Sequence, residues 1–216
     1  MTKNEIRQSL IESHSVMDVP VSTPEDTRQE NVVRILEAAE RLFKHYGYAK
    51  TTVADIAKDL GMSPANIYRF FGSKSEIHKA LANRMLEASR AVAWENAKRA
   101  VSATERLRDH FLQQHRITVE TLLHENKVHE MVVVAIEEQW SVIEDHIMQL
   151  RAIVAGLVEE GIAMGEFRAQ DAELAAECLC DCTVTLCHPQ IIAECLFETR
   201  RATPADVVDF ALRALK

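Results

Sequence analysis

Asn66 and Arg69 stand three residues apart in the run Ser63-Pro-Ala-Asn-Ile-Tyr-Arg-Phe-Phe71. Their side chains are well suited to reading base edges: a carboxamide pairs with adenine, a guanidinium with guanine. Spaced by three on a helix, they share a face, and Ser63 and Ala65 are further exposed candidates for base or phosphate contact. Lys74 opens another helix, where its ammonium and the free backbone N–H groups can both meet a phosphate. Thr51 and Thr52 are further candidates for phosphate contact. This chemistry is recognition rather than catalysis. No nucleophile motif, phosphate loop or pair of catalytic carboxylates stands out.

Such side chains need a rigid platform, and the flanking residues spell one. Thr52 is a good N-cap with Asp55 three residues on, the pattern of a capping box, so a helix is expected over Val53 to Leu60. Gly61 can take positive φ and end it. Ser63 caps a second helix with Pro64 at its first position, where a missing N–H costs nothing. Stopping and restarting within three residues is the mark of a helix-turn-helix, whose second helix enters a DNA major groove. Ile56, Ala57, Leu60, Ile67 and Phe70 have the spacing to form the small core between the two helices.

Around this motif the chain reads as helix almost throughout, and the expected fold is all-α. Residues 1–26 are polar with Pro20 and Pro24, and are expected to be a flexible arm. A helix over Thr27 to Tyr46 carries Val32, Ile35, Leu36, Ala39, Leu42 and Phe43 on one face, and Gly47 ends it. Ser73-Lys-Ser-Glu76 reads as a second capping box, launching a helix to Arg99. Further helices are expected from Ser102 or Thr104 to Leu123, Val128 to Glu138 and Ser141 to Met164, with Gly161 and Gly165 punctuating the end of the last. Asp171 caps a helix running to Pro189, and Thr203-Pro-Ala-Asp206 opens the final one to Leu215. The expected division is an arm 1–26, a helix-turn-helix domain 27–72 and a helical domain 73–216.

From Ile35-Leu-Glu-Ala-Ala-Glu-Arg-Leu-Phe through Gly47-Tyr, Thr51-Thr-Val-Ala-Asp-Ile-Ala and Gly61-Met-Ser-Pro-Ala-Asn-Ile-Tyr-Arg-Phe-Phe-Gly-Ser-Lys, the chain resembles the TetR-type transcriptional regulators. The resemblance implies that Tyr68 touches the DNA backbone and that the C-terminal domain binds a small molecule and dimerises. Implied partners are double-stranded operator DNA, a small-molecule effector and a second copy of the chain. Asp171 to Cys187 and Pro204 to Leu215 would form the dimer's four-helix bundle, through Leu174, Leu179, Val184, Leu186, Val207 and Phe210. Trp94, Phe111, Met131, Trp140 and Met148, large or soft side chains, are the pocket candidates. The stretch from Gly161 through Cys187-His-Pro is also similar to the dimer region of some TetR-type repressors of drug-efflux genes.

Charge agrees with this division. Eleven Lys/Arg against seven Asp/Glu between Arg28 and Arg90 give +4, leaving −12 on the rest of a chain whose net charge is −8. A basic head on an acidic body suits a protein whose head meets phosphate. No apolar run reaches membrane-spanning length and no signal-peptide pattern opens the chain, so a cytoplasmic protein with reduced thiols is expected, away from membranes. Cys178, Cys180, Cys182, Cys187, His188 and Cys195 invite a metal reading, but Cys180 points away from the face of Cys178 and Cys182, and there is no Cys-x-x-Cys. His110, His115, His124, His129 and His146 likewise lack a pair at helical metal-ligand spacing among His110 and His115. Neither metal nor cofactor is called for. The alternative left open is a metal- or redox-sensing regulator built on residues 178–187.

Overall fold

The computed structural model describes residues 24–123, 133, 134, 136, 141–195 and 202–216. In chain order the helices are α1 (Pro24–Tyr46), α2 (Val53–Asp59), α3 (Pro64–Tyr68), α4 (Lys74–Ala97) and α5 (Ala103–Leu123). They continue as α6 (Ser141–Ala163), α7 (Ala172–Cys182), α8 (Val184–Cys187), α9 (Pro189–Cys195) and α10 (Pro204–Leu212), with a 3-10 turn at Arg213–Leu215. The described residues contain no strand, and the fold is all-α. Positions 1–23 of the expected arm lie outside the described residues, as does most of the helix expected over Val128 to Glu138.

The chain parts into two compact units between Val33 and Arg34. In the first, the described residues are the opening turns of α1. They begin at Pro24 rather than Thr27, because proline fits a helix's first turn, and Glu25 and Asp26 there suit the positive end of the dipole.

In the second unit, Ile35, Ala38, Ala39 and Phe43 of α1 pack with Ile56, Ala57, Ile67, Ile77 and Leu81 in a fully buried core. Each large side chain there contributes about 1.5–3 kcal/mol of transfer free energy. Leu60 and Phe70, expected in this core, are half-buried, and Phe71 is the phenylalanine that turns inward. The Thr52–Asp55 capping box is present: the Thr52 hydroxyl accepts from the Asp55 N–H at 3.2 Å, and the Asp55 carboxylate accepts from the Thr52 N–H at 2.9 Å. At the other end of α2, Gly61 sits at φ 65°, with the Met62 N–H bonded to Ala57 O at 2.8 Å and the Gly61 N–H to Lys58 O at 3.2 Å. That pair of bonds needs a left-handed residue, which glycine supplies without strain.

The second expected box forms only by half. Ser73 Oγ accepts from the Glu76 N–H at 3.1 Å, but the Glu76 carboxylate takes the N–H of Gly72, at 2.7 Å, instead of that of Ser73. The acid still satisfies an orphan donor, one residue further back.

Among the C-terminal helices, α5 is the hub, packed against α4, α6, α8, α9 and α10. Leu107 and Phe111 of α5 share a core with Ala93, Val154, Leu157, Leu179, Leu186, Val208 and Leu212. The start of α5 is capped from far along the chain. Glu166 accepts from the N–H groups of Ala103 and Thr104 at 2.9 and 3.1 Å, and from the Thr104 hydroxyl at 3.0 Å. Gly161 lies in the last turn of α6, close against Phe167, where a Cβ would stand 2.2 Å from the ring, and Gly165 takes a φ of 73° just past the helix end. The single helix expected from Asp171 to Pro189 is broken at Thr183. Its buried hydroxyl donates to Leu179 O at 2.7 Å, a back-bond that competes with the helical ladder.

Candidate nucleic-acid interface

The turn between α2 and α3 positions the recognition residues. Ser63 adopts an extended backbone, and its Oγ accepts from the Asn66 N–H at 3.2 Å, which starts α3 with Pro64 at the first position. Buried Ile67 anchors the short helix from below. Ser63, Ala65, Tyr68 and Arg69 are consequently exposed, with Asn66 half-buried between them. Tyr68 is 53% exposed, so its ring and hydroxyl are open to contact from outside the chain. The Arg69 guanidinium has no hydrogen-bond or ion-pair partner among the described residues, so its five donors face outward. The Arg41–Asp59 pair at 2.6 Å ties α1 to α2, and the Arg84–Glu40 pair at 2.6 Å ties α4 to α1.

Thr51 leaves this set. Its side chain is 2% exposed, and its hydroxyl donates to Gly47 O at 2.9 Å and Leu42 O at 3.3 Å, locking the loop after α1. Thr52 is exposed, but its hydroxyl is engaged in the capping box, donating to Asp55 Oδ2 at 2.6 Å. Lys74 is half-committed: its Nζ donates to Tyr48 O at 3.0 Å and lies 4.2 Å from the centroid of the Tyr48 ring. An ammonium has three donors, so the remaining ones can still reach a phosphate. The sequence pattern placed all three residues near the DNA; only the packing shows which of them are occupied.

The pocket candidates do not converge. Trp94 and Met148 are exposed, Phe111 is buried in the core, and Met131 and Trp140 lie outside the described residues. The dimer candidates divide instead. Leu179 and Leu186 are buried inside the protomer's own core, because α7 and α8 turn those positions inward, and Val207 is half-buried against it. Leu174 is 59% and Phe210 72% exposed, with Val184 exposed as well. Cys178 and Cys182 are exposed in the single chain, one and two turns beyond Leu174 on α7.

Of one further group, sequence reasoning singled out His110, as a metal candidate or a polar lining of the ligand pocket, but neither Ser89 nor Gln114. Ser89 on α4, with His110 and Gln114 on α5, are polar residues buried among apolar ones. The available signal was the spacing of four between His110 and Gln114 on a face otherwise made of Ala103, Leu107 and Phe111.

Residues 35–81 match the model of bacterial regulatory proteins of the tetR family, and residues 103–208 match that of the Tetracyclin repressor-like C-terminal domain. The HTH-type transcriptional regulator TtgR of Pseudomonas putida is 40% identical over 67 residues, which cover 31% of this chain and 32% of that protein. The uncharacterized HTH-type regulator YhgD of Bacillus subtilis is 28% identical over 152 residues, 66% of this chain and 74% of that one. The chain thus spans only about a third of TtgR but most of YhgD. Among solved structures, a TetR/AcrR-family regulator from Thermobifida fusca superposes with a TM-score of 0.61 at 23% identity, over 86% of this chain and 96% of its own.

Proposed function

Because this chain belongs to the TetR family of transcriptional regulators, a family of DNA-binding proteins that are not enzymes, we propose that it is a dimeric repressor released from its operator by a small molecule. Residues 27–72 would serve as the DNA-binding head and 73–216 as the sensing and pairing body. The observation that carries this reading is the exposed row Ser63, Ala65, Tyr68 and Arg69, with half-buried Asn66, held on a buried core and facing away from it. Two such heads, one helical turn apart, would read a near-palindromic operator.

The pairing surface we assign is the exposed apolar set Leu174, Val184 and Phe210. Exposed large apolar side chains rimmed by polar ones mark association surfaces. Release would run through α4, whose start is tied to the recognition end by Lys74 and whose later turns pack on α5 and α6. An effector preferring one tilt of α4 would shift the population of head separations and weaken DNA binding. The target we assign is a gene for exporting the effector, on the likeness of the 161–189 segment to efflux-gene repressors. Work on DNA implies a cytoplasmic protein, and no helix among the described residues is long and apolar enough to cross a membrane.

Metal or redox sensing is not favoured. Burial pushes the Cys180 thiol up to about 11 and the Cys187 thiol up to about 12, which disfavours the reactive thiolate at these two, and no three His, Cys, Asp or Glu side chains among the described residues are grouped to hold a metal ion. An electrophoretic shift of the protein's own promoter DNA tests the main reading. A shift that weakens steeply with salt is expected, and its absence overturns the proposal.

A further inference from the structure

Helices α4, α5 and α6 pack against one another through an apolar core that also encloses a seam of polar side chains, Ser89, His110 and Gln114. His110, 2% exposed, and Gln114 lie one turn apart on the buried side of α5. Gln114 Oε1 accepts from Ser89 Oγ of α4 at 2.8 Å. Its Nε2 then has no hydrogen-bond partner among the described residues, and neither does Nδ1 of His110 or Nδ1 of His146 on α6. A buried polar group left unpaired costs about 1–3 kcal/mol. Three of them on the adjoining helices α5 and α6 are donors or acceptors that a hydrogen-bonding partner from outside the chain would satisfy.

Charge decides what that partner is. Burial, then the His146 ring, pushes the His110 imidazole down to about 4; burial, then the Arg90 charge, does the same to His146. Both rings are neutral at pH 7, able to donate from one nitrogen. Arg90, next to Ser89 on α4, has no ion-pair partner among the described residues. The buried polar residues of the described chain include no aspartate or glutamate, and Glu144 and Asp145 beside His146 are exposed. Among the described residues, a metal ion or ammonium entering here would meet Arg90 and no buried carboxylate. An anion would meet a guanidinium, a carboxamide N–H and two imidazoles.

We infer that this seam receives the acidic group of the effector, which is an organic carboxylate on an apolar body, held by Arg90, His110, Gln114 and His146. The apolar body would lie against Phe111, whose ring centroid is 5.2 Å from that of His110. The inference rests on the effector-released regulator proposed above and names the chemical class of that effector.

Thermal melting of the full-length protein with benzoate and octanoate, each beside its own amide, tests it. At least one acid is expected to raise the melting temperature clearly above its amide. Arg90→Gln should erase that difference. Gln114→Met should weaken the acid about tenfold or more; because it also takes the acceptor from the Ser89 hydroxyl, it is combined with Ser89→Ala, which leaves neither partner orphaned and should melt close to the wild type without ligand. Acids that act no better than their amides, a preference that survives Arg90→Gln, or stabilisation by zinc with the acids inert would each overturn the inference. A promoter-DNA shift run in parallel keeps the two readings apart. Wild type that shifts DNA while the acids do nothing sinks the carboxylate alone, whereas a protein that shifts no promoter DNA sinks the regulator reading whatever the acids do.

Discussion

Arg69 and Thr51 show how similar expectations separate once burial is known. Arg69 presents an unpaired guanidinium at the end of α3, so Arg69→Ala should weaken operator binding by about 1–3 kcal/mol, the worth of a bidentate base contact. Its melting temperature should stay within error of the wild type. Thr51→Val should do the reverse. The hydroxyl serving Gly47 O and Leu42 O is lost, and stability should fall by about 1 kcal/mol while intrinsic DNA affinity holds. Fluorescence anisotropy with labelled operator, beside thermal melting, distinguishes the two. Equal loss of affinity in both variants would return Thr51 to the interface.

At the scale of elements, caps and close approaches govern the geometry. Thr52→Ala removes the hydroxyl that starts α2, and about 1 kcal/mol of stability should go with it in urea denaturation. Gly161→Ala is expected to cost more, about 1–3 kcal/mol, because the new methyl meets the Phe167 ring and one of them must move. Since Phe167 adjoins Glu166, the cap of α5, the same change should disturb that helix start; unchanged stability would mean the ring has room to swing aside. The break at Thr183 belongs to this scale too. Residues 171–189 have helical composition throughout, yet the helix is interrupted at Thr183, whose buried hydroxyl bonds to Leu179 O.

For the whole molecule, association and pH are the tests. Phe210→Glu puts a charge on the exposed apolar surface and should turn a dimer into a monomer by size-exclusion chromatography with light scattering. A dimer unaffected by it would place the interface elsewhere. His110 titrates near its ordinary value when unfolded but is pushed down to about 4 when folded, so the unfolded chain binds the proton first. Its stabilising contribution is full above about 6.5 and is lost as pH falls towards 4. The loss should be on the order of a few kcal/mol, and His110→Phe should flatten that part of the stability profile. A profile of the same slope in the variant would assign the loss to other groups.

The sequence by itself determined the helix-turn-helix, its caps at Thr52 and Ser63, the glycine stop at Gly61 and the family. Those features depend on residues within a few positions of one another, where propensity and capping act locally. It did not determine which candidates are free to bind. Thr51 and Lys74 are engaged by Gly47, Leu42 and Tyr48, and Leu179 and Leu186 are turned into the protomer's own core. Two members of the seam, His110 and His146, stood out in the sequence, but their grouping with Ser89, Arg90 and Gln114 did not. Its members come from three helices, and burial and partner choice are decided only when those helices pack.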